Sequence, residues 1–276
     1  MSSAADHSLN EEAPNELIIN RRSFLNSGVG ILLVPVTGLL GSASAQEPKN
    51  INAFNADKLL YDFSKVCRVA TQAEVGPYYI DKALMRSDIR DGQKGRPLTL
   101  NFKIVDANAR CRPVKGAVVS IWHCNARGEY SGYIQNSPNE LPEVAKFDSH
   151  GHATETDVER FLRGAQVTDD SGTVAFTTVF PGWYTPRAVH IHVRVYLNEH
   201  QLLTSQVYFP QAVVNHIQTT DSAYKDRGVG MFTNEGDFVR RKSGISGDAD
   251  ILAVNEAANG TLVASWTLGA ADTSLM

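Results

Sequence analysis

Cysteine is scarce in this chain, and the three present, Cys67, Cys111 and Cys124, include no C-x-x-C pair. A thiolate zinc site therefore has little support. An odd count in an exported protein allows one disulfide and one free thiol, and all three pairings stay open. Charge runs are also missing. Lys and Arg number 26 against 30 Asp and Glu, for a formal net charge of −4, and no basic stripe stands out. Nucleic acid is therefore not an expected partner. No internal repeat and no low-complexity tract is visible. The apolar run from Val29 to Leu40 is interrupted at Gly30, Pro35 and Gly38. It falls short of the about 20 residues that a membrane-spanning helix needs.

That apolar run has a meaning of its own. Asn20-Arg21-Arg22-Ser23-Phe24-Leu25-Asn26 precedes it and Ala43-Ser44-Ala45-Gln46 follows it. A positive segment, an apolar segment and an A-x-A site describe a secretory signal. The paired Arg before Phe24-Leu25 marks the twin-arginine type. Residues 1–45 are expected to be a signal peptide, with a retained N-terminal anchor as the alternative. The protein is then expected in the periplasm or outside the cell, with no stable membrane span after cleavage. The twin-arginine route carries folded proteins, often with the cofactor in place, which fits a metalloprotein. Folding before export also weighs against a disulfide. Residues 46–276 make one domain's length, enough to bury a full core. They divide into an N-terminal segment over 46–70 and a domain over 71–276.

Past Cys67 the pattern is mostly β. Leu98–Val105, Gly116–Trp122, Gly172–Val179, Val189–Leu197 and Leu202–Tyr208 alternate or are rich in β-branched residues, with turn signals such as Asp91-Gly92 and Pro181-Gly182 between them. Short alternating strands spaced by turns predict an antiparallel β-sandwich. Helical signal is weak. Short helices are expected over 55–63 and after Pro210, and 132–155 reads as a long loop of the kind that is often functional.

One stretch carries most of the chemistry. Tyr184-Thr-Pro-Arg187-Ala-Val-His190-Ile-His192 packs a Tyr, an Arg and two His into nine residues. His190 and His192 stand two apart on an expected strand, so both imidazoles share a face and can bind one metal ion. Tyr184 lies behind a Pro-Gly turn that can fold it back to the same spot. The pair alone does not name a metal, because H-x-H occurs in cupins, zinc hydrolases and histidines without any ligand. No Asp or Glu lies in that strand to complete the 2-His-1-carboxylate triad of Fe(II) oxygenases.

The chain resembles the intradiol ring-cleavage dioxygenases, the family of protocatechuate 3,4-dioxygenase and catechol 1,2-dioxygenase. The resemblance rests on Glu74-Val-Gly-Pro-Tyr78-Tyr79, on Ile121-Trp-His-x-Asn-x-x-Gly-x-Tyr130-Ser, on Pro181-Gly-Trp-Tyr184 and on Arg187-x-x-His190-Ile-His192, in the family's order over most of 71–208. It implies a transthyretin-like all-β sandwich with long active-site loops. It also implies one non-haem Fe(III) held by Tyr130, Tyr184, His190 and His192, the first and last equatorial and the other two axial. Tyr184 would act as a base on the substrate. Arg187 would stabilise negative charge developing on it, and Gln206 would orient a ligand from the next strand. Tyr78 and Tyr79 would line the pocket. The implied partners are a catecholic substrate and O2, and the implied product is a cis,cis-muconic acid. Phenolate is a hard anionic donor that stabilises Fe(III), and a trivalent cation in turn ionises phenols near neutral pH.

The chain departs from that pattern in two places. Only five residues separate Tyr184 from His190, fewer than in catechol dioxygenases, so a more open site is expected. The long helical dimerisation region of those enzymes is missing, which leaves a homo-oligomer possible and its mode undefined. Arg194 shares the face of the two His and reads as a rim or salt-bridge residue. Trp122 and Trp183 read as packing, and His123, His150, His152, His200 and His216 as non-ligands. Two other functions compete: a non-catalytic transthyretin-like module binding phenolic ligands, and a zinc hydrolase built on the His pair that lacks a convincing third ligand.

Overall fold

The computed structural model of the chain describes residues 69–81, 84–137, 148–149, 151–245 and 247–270. Two sheets enclose one apolar core. In the first, β1 (Pro97–Asp106) is central. One edge of β1 pairs antiparallel with β5 (Thr173–Val179) and then with the short β2 (Arg112–Pro113). Its other edge pairs in parallel with β9 (Leu262–Ala270), which carries β8 (Ala253–Glu256) on its far side. The second sheet runs in the order β4 (Arg163–Val167), β3 (Val118–Trp122), β6 (His190–Leu197), β7 (His200–Tyr208).

Period-two burial explains the first sheet. Leu98, Leu100, Phe102 and Ile104 of β1 and Val174 and Phe176 of β5 are buried, with more open residues between them. These side chains meet Val119, Ile121, Ile191, Val193 and Val195 of the second sheet in the core. The five strands expected from alternation all form, each end within two residues of its expected place. β2, β4, β8 and β9 were not anticipated. β9 corrects the wholly antiparallel expectation, since it runs parallel to β1 from Leu98 opposite Leu262 to Asp106 opposite Ala270. Its inward residues Leu262, Ala264, Leu268 and Ala270 are half small ones, so its apolar face is faint in sequence. Residues 262–270 thus complete a sheet.

The helix expected after Pro210 forms as α1 (Gln211–Thr220). A second, α2 (Phe238–Lys242), was not expected, and Asp237 caps it by accepting from the Arg240 backbone N–H. The helix expected over 55–63 and the signal segment lie outside the described residues. Among the described residues no helix is long and apolar enough to cross a membrane. Cys111, in the turn after β1, is disulfide-bonded, against the expectation drawn from folding before export. Cys124 is a buried free thiol, and Cys67 lies outside the described residues.

One feature of β6 positions the site. Ile191, Val193 and Val195 enter the inter-sheet core, yet His190 and His192 on the opposite face of the strand are also buried. Their face is covered by loops. Tyr78, Tyr130, Tyr133 and Tyr184 form a second apolar cluster there with Trp122.

Candidate metal centre and active site

Strand register sets out the floor of the site. His192 pairs across the sheet with Trp122 on β3 and with Gln206 on β7, and His190 pairs with Tyr208. Trp122 and His192 stack with ring centres 4.8 Å apart at 10°. Trp122 is thus packing, as expected, though against His192, one of the expected ligands. Loops then bring in the phenols. Tyr130 follows the turn after β3. Tyr184 follows the Pro181-Gly182 bend, which sits so tightly on the β3 turn that a Cβ at Gly182 would overlap the Ala126 carbonyl oxygen.

The four expected ligands converge. The Tyr130 and Tyr184 hydroxyls lie 3.3 Å apart, the Tyr184 hydroxyl is 3.1 Å from His190 Nε2, and His190 Nε2 is 3.1 Å from His192 Nε2. His190 Nδ1 lies 2.6 Å from the Ala188 carbonyl. A carbonyl only accepts, so Nδ1 carries the proton and Nε2 presents a lone pair. Three groups crowd that single lone pair: the Tyr184 hydroxyl, His192 Nε2 and, at 3.4 Å, Arg187 Nη1. An sp² nitrogen offers one such direction, so the three cannot all be served well. His192 Nδ1 is also buried with no hydrogen-bond partner among the described residues. A cation among these atoms would take lone pairs from all four side chains. Two phenols and two imidazoles fit a hard trivalent metal. No group of three or more His, Cys, Asp and Glu is assembled among the described residues, so the pair gains no third ligand of the zinc-hydrolase kind.

Burial tunes all four groups toward neutrality. It holds both imidazoles far below their ordinary range, and Arg187 adds to the effect at each. It holds the Tyr130 phenol well above its usual value, with Tyr184 beside it reinforcing the shift. The Tyr184 phenol is also raised by burial, against the pull of Arg187. Burial thus favours neutral imidazoles with free nitrogen lone pairs, while the phenols need a cation to lose their protons.

Arg187 is no surface arginine. It is 7% exposed. Its Nε donates to Asp237 Oδ2 at 2.8 Å, and its Nη2 donates to Gln206 Oε1, Tyr208 Oη and Asp237 Oδ1 at 2.5, 3.0 and 3.2 Å. Burial alone would lower its pKa, but Tyr184, Tyr208 and Asp237 outweigh burial and raise it. Gln206 stands beside His192 as expected, and its Nε2 donates to the Glu74 carbonyl at 2.8 Å. Asp237 and Tyr208 were missed by the sequence reading. Asp237 precedes a basic five-residue helix, a legible capping pattern, but its partner Arg187 lies fifty residues away.

The segment over 74–79 packs over Tyr130, Tyr184, His190 and His192, which are at most 6% exposed. Tyr78 stacks on Tyr130 at 4.8 Å and 17°, and Tyr79 packs on Trp122. Gly76, at φ +77, lies so close that a Cβ would stand 3.0 Å from His192 Cε1. Arg194 is a rim residue, its guanidinium 4.4 Å from the centre of the Tyr79 ring. It donates to the Thr204 hydroxyl and to the Gln201 side-chain oxygen. Trp183 packs under Arg227. His123 is buried on Thr178, away from the cluster, and His200 and His216 are exposed.

Comparison with known proteins agrees with this geometry. The Dioxygenase_C family model, described as dioxygenase, matches residues 74–245. An intradiol ring-cleavage dioxygenase from Tetranychus urticae has a solved structure that is 30% identical, with a TM-score of 0.66. The match covers 74% of this chain and 95% of that one. The catechol 1,2-dioxygenase of Pseudomonas sp. (strain EST1001) is 28% identical over 138 residues, 48% of this chain and 44% of that protein. The protocatechuate 3,4-dioxygenase beta chain of Burkholderia cepacia is 26% identical over 174 residues, 58% of this chain and 66% of that protein. The chain therefore spans about half to two thirds of these two relatives. The chain belongs to the intradiol ring-cleavage dioxygenase family.

Proposed function

We propose that Tyr130, Tyr184, His190 and His192 hold one ferric ion. With it the protein would cleave a catecholic ring between the two hydroxyl-bearing carbons, using O2 and giving a cis,cis-muconic acid-type product. The observation that carries this reading is the chain of close contacts from the Tyr130 hydroxyl through the Tyr184 hydroxyl and His190 Nε2 to His192 Nε2 inside one buried cluster. Ferric iron held there would supply Lewis acidity, favouring ionisation of the two phenols and of an incoming catechol.

The chain's own residues do the rest. Tyr184, once ionised, takes a hydroxyl proton from the substrate at its phenolate oxygen, acting as a general base. Arg187 Nη1 points at the cluster while the other guanidinium nitrogens are engaged. It is a preorganised cation beside charge that develops on the substrate. Gln206 holds the guanidinium edge and anchors to the Glu74 carbonyl, tying floor to roof. Tyr78 and Tyr79 wall the substrate side and keep water out. Residues 1–45 would direct export by the twin-arginine route, placing the reaction outside the cytoplasm; the mass of the mature protein tests cleavage after Ala45.

A visible spectrum of the purified protein, before and after catechol under nitrogen, tests the site. A broad band that moves to longer wavelength on adding catechol is the expected result. A protein that stays colourless after ferric loading would end this reading and favour a non-catalytic module binding phenolic ligands.

A further inference from the structure

We propose that Asp237 is a positioning residue that clamps Arg187 in its working orientation. The inference rests on the dioxygenase reading. Asp237 is fully buried, and both of its carboxylate oxygens accept from the Arg187 guanidinium. Oδ2 accepts from Arg187 Nε at 2.8 Å and from the Ala188 backbone N–H at 2.9 Å. Oδ1 accepts from Arg187 Nη2 at 3.2 Å, from the Tyr208 hydroxyl at 3.3 Å and from the Arg240 backbone N–H at 3.0 Å. The carboxylate thus grips one edge of the guanidinium in a fork, the geometry that fixes a planar cation most firmly. Gln206 and Tyr208 hold Nη2 from the side. Nη1 is left facing the His190 and Tyr184 end of the cluster.

The same carboxylate fixes two further points. Through the Ala188 N–H it holds the backbone whose carbonyl sets the His190 tautomer. As the cap of α2 it ties the site to a helix, and Arg240 of that helix is itself paired with buried Asp250 at 2.7 Å. A guanidinium on a long flexible stem has many rotamers. A buried fork that removes them keeps the donor aimed without reorganisation during the reaction. Loss of the fork therefore costs catalysis through Arg187, with the iron ligands still in place.

Asp237→Asn tests this, because Asn keeps a capping oxygen while losing the charge and half the fork. In the iron-loaded protein we expect kcat to fall at least about tenfold, with KM and the anaerobic catechol dissociation constant changed less than about threefold. The visible band should keep its maximum. In an Arg187→Gln background, Asp237→Asn should change kcat less than about twofold, because the residue it acts through is already gone. Asp237→Glu is the second variant: it keeps charge and cap but displaces the fork by a methylene, and kcat should again fall at unchanged KM. Equal losses from Asp237→Asn in both backgrounds would overturn the clamp, as would wild-type kcat in both Asp237 variants. A wild-type protein with neither the visible band nor catechol-dependent oxygen uptake would overturn the dioxygenase reading, and the clamp's catalytic role with it.

Discussion

Protonation of His123 should cost this protein about 3 kcal/mol of stability between neutral pH and pH 4. The side chain is 1% exposed and sits outside the cluster of Tyr130, Tyr184, His190 and His192. Its Nδ1 lies 2.8 Å from the Cys124 carbonyl and its Nε2 lies 2.8 Å from Thr178 Oγ1. The carbonyl requires the proton on Nδ1, so the neutral ring is fully satisfied and Nε2 accepts from the Thr178 hydroxyl. Burial lowers its pKa to about 4; Arg163 adds to that and the Cys124 carbonyl opposes it. The folded pKa thus lies below the ordinary value of about 6.5. The unfolded chain takes up the proton first as pH falls. The contribution is fully present above about pH 6.5, shrinks through the window down to about pH 4, and changes no further below it. The gap of about 2.5 units at 1.36 kcal/mol each gives the magnitude. Urea unfolding of the wild type and of His123→Asn across that window isolates the effect, because carboxylates elsewhere titrate in both proteins. The wild type's advantage over the variant should diminish by about 3 kcal/mol from pH 7 to pH 4. An advantage that stays level across the window would refute the reasoning.

Two further perturbations act nearer the chemistry. Tyr184→Phe keeps the buried ring but removes the oxygen that meets both Tyr130 and His190. We expect kcat to fall about 100-fold or more, with a weaker visible band, and an unchanged kcat would remove Tyr184 as the base. Gly182→Ala places a methyl against the Ala126 carbonyl and 2.9 Å from the Asn125 oxygen. The two loops that carry Tyr130 and Tyr184 must then separate. A loss of about 1–3 kcal/mol in stability is expected, together with weaker iron binding in a metal titration. A variant with wild-type thermal midpoint and affinity would show that the bend is not held by this approach.

Much of the fold and most of the site were legible in the sequence, for reasons that differ by residue. Alternation disclosed β1, β3, β5, β6 and β7 because each has one apolar face of large side chains. β9 escaped because its buried positions include Ala264 and Ala270, whose burial is decided by the neighbouring strand. His190 and His192 declared their common face by spacing alone, since a strand fixes side-chain direction locally. The two tyrosines required four ordered motifs, because nothing local says where a loop returns. The spacing between Tyr184 and His190 gave no sign that the distant 74–79 segment packs over the same side chains.

The sequence by itself determined the donor types, the shared face of the histidines and the family, because period-two geometry and ordered motifs are local properties of a chain. Only the tertiary structure decided that the 74–79 segment covers the cluster, that Tyr208 lies opposite His190, and that Asp237 reaches Arg187 from fifty residues away. Those facts depend on which segments pack together. Burial, which sets every pKa shift in the cluster, exists only once they have done so.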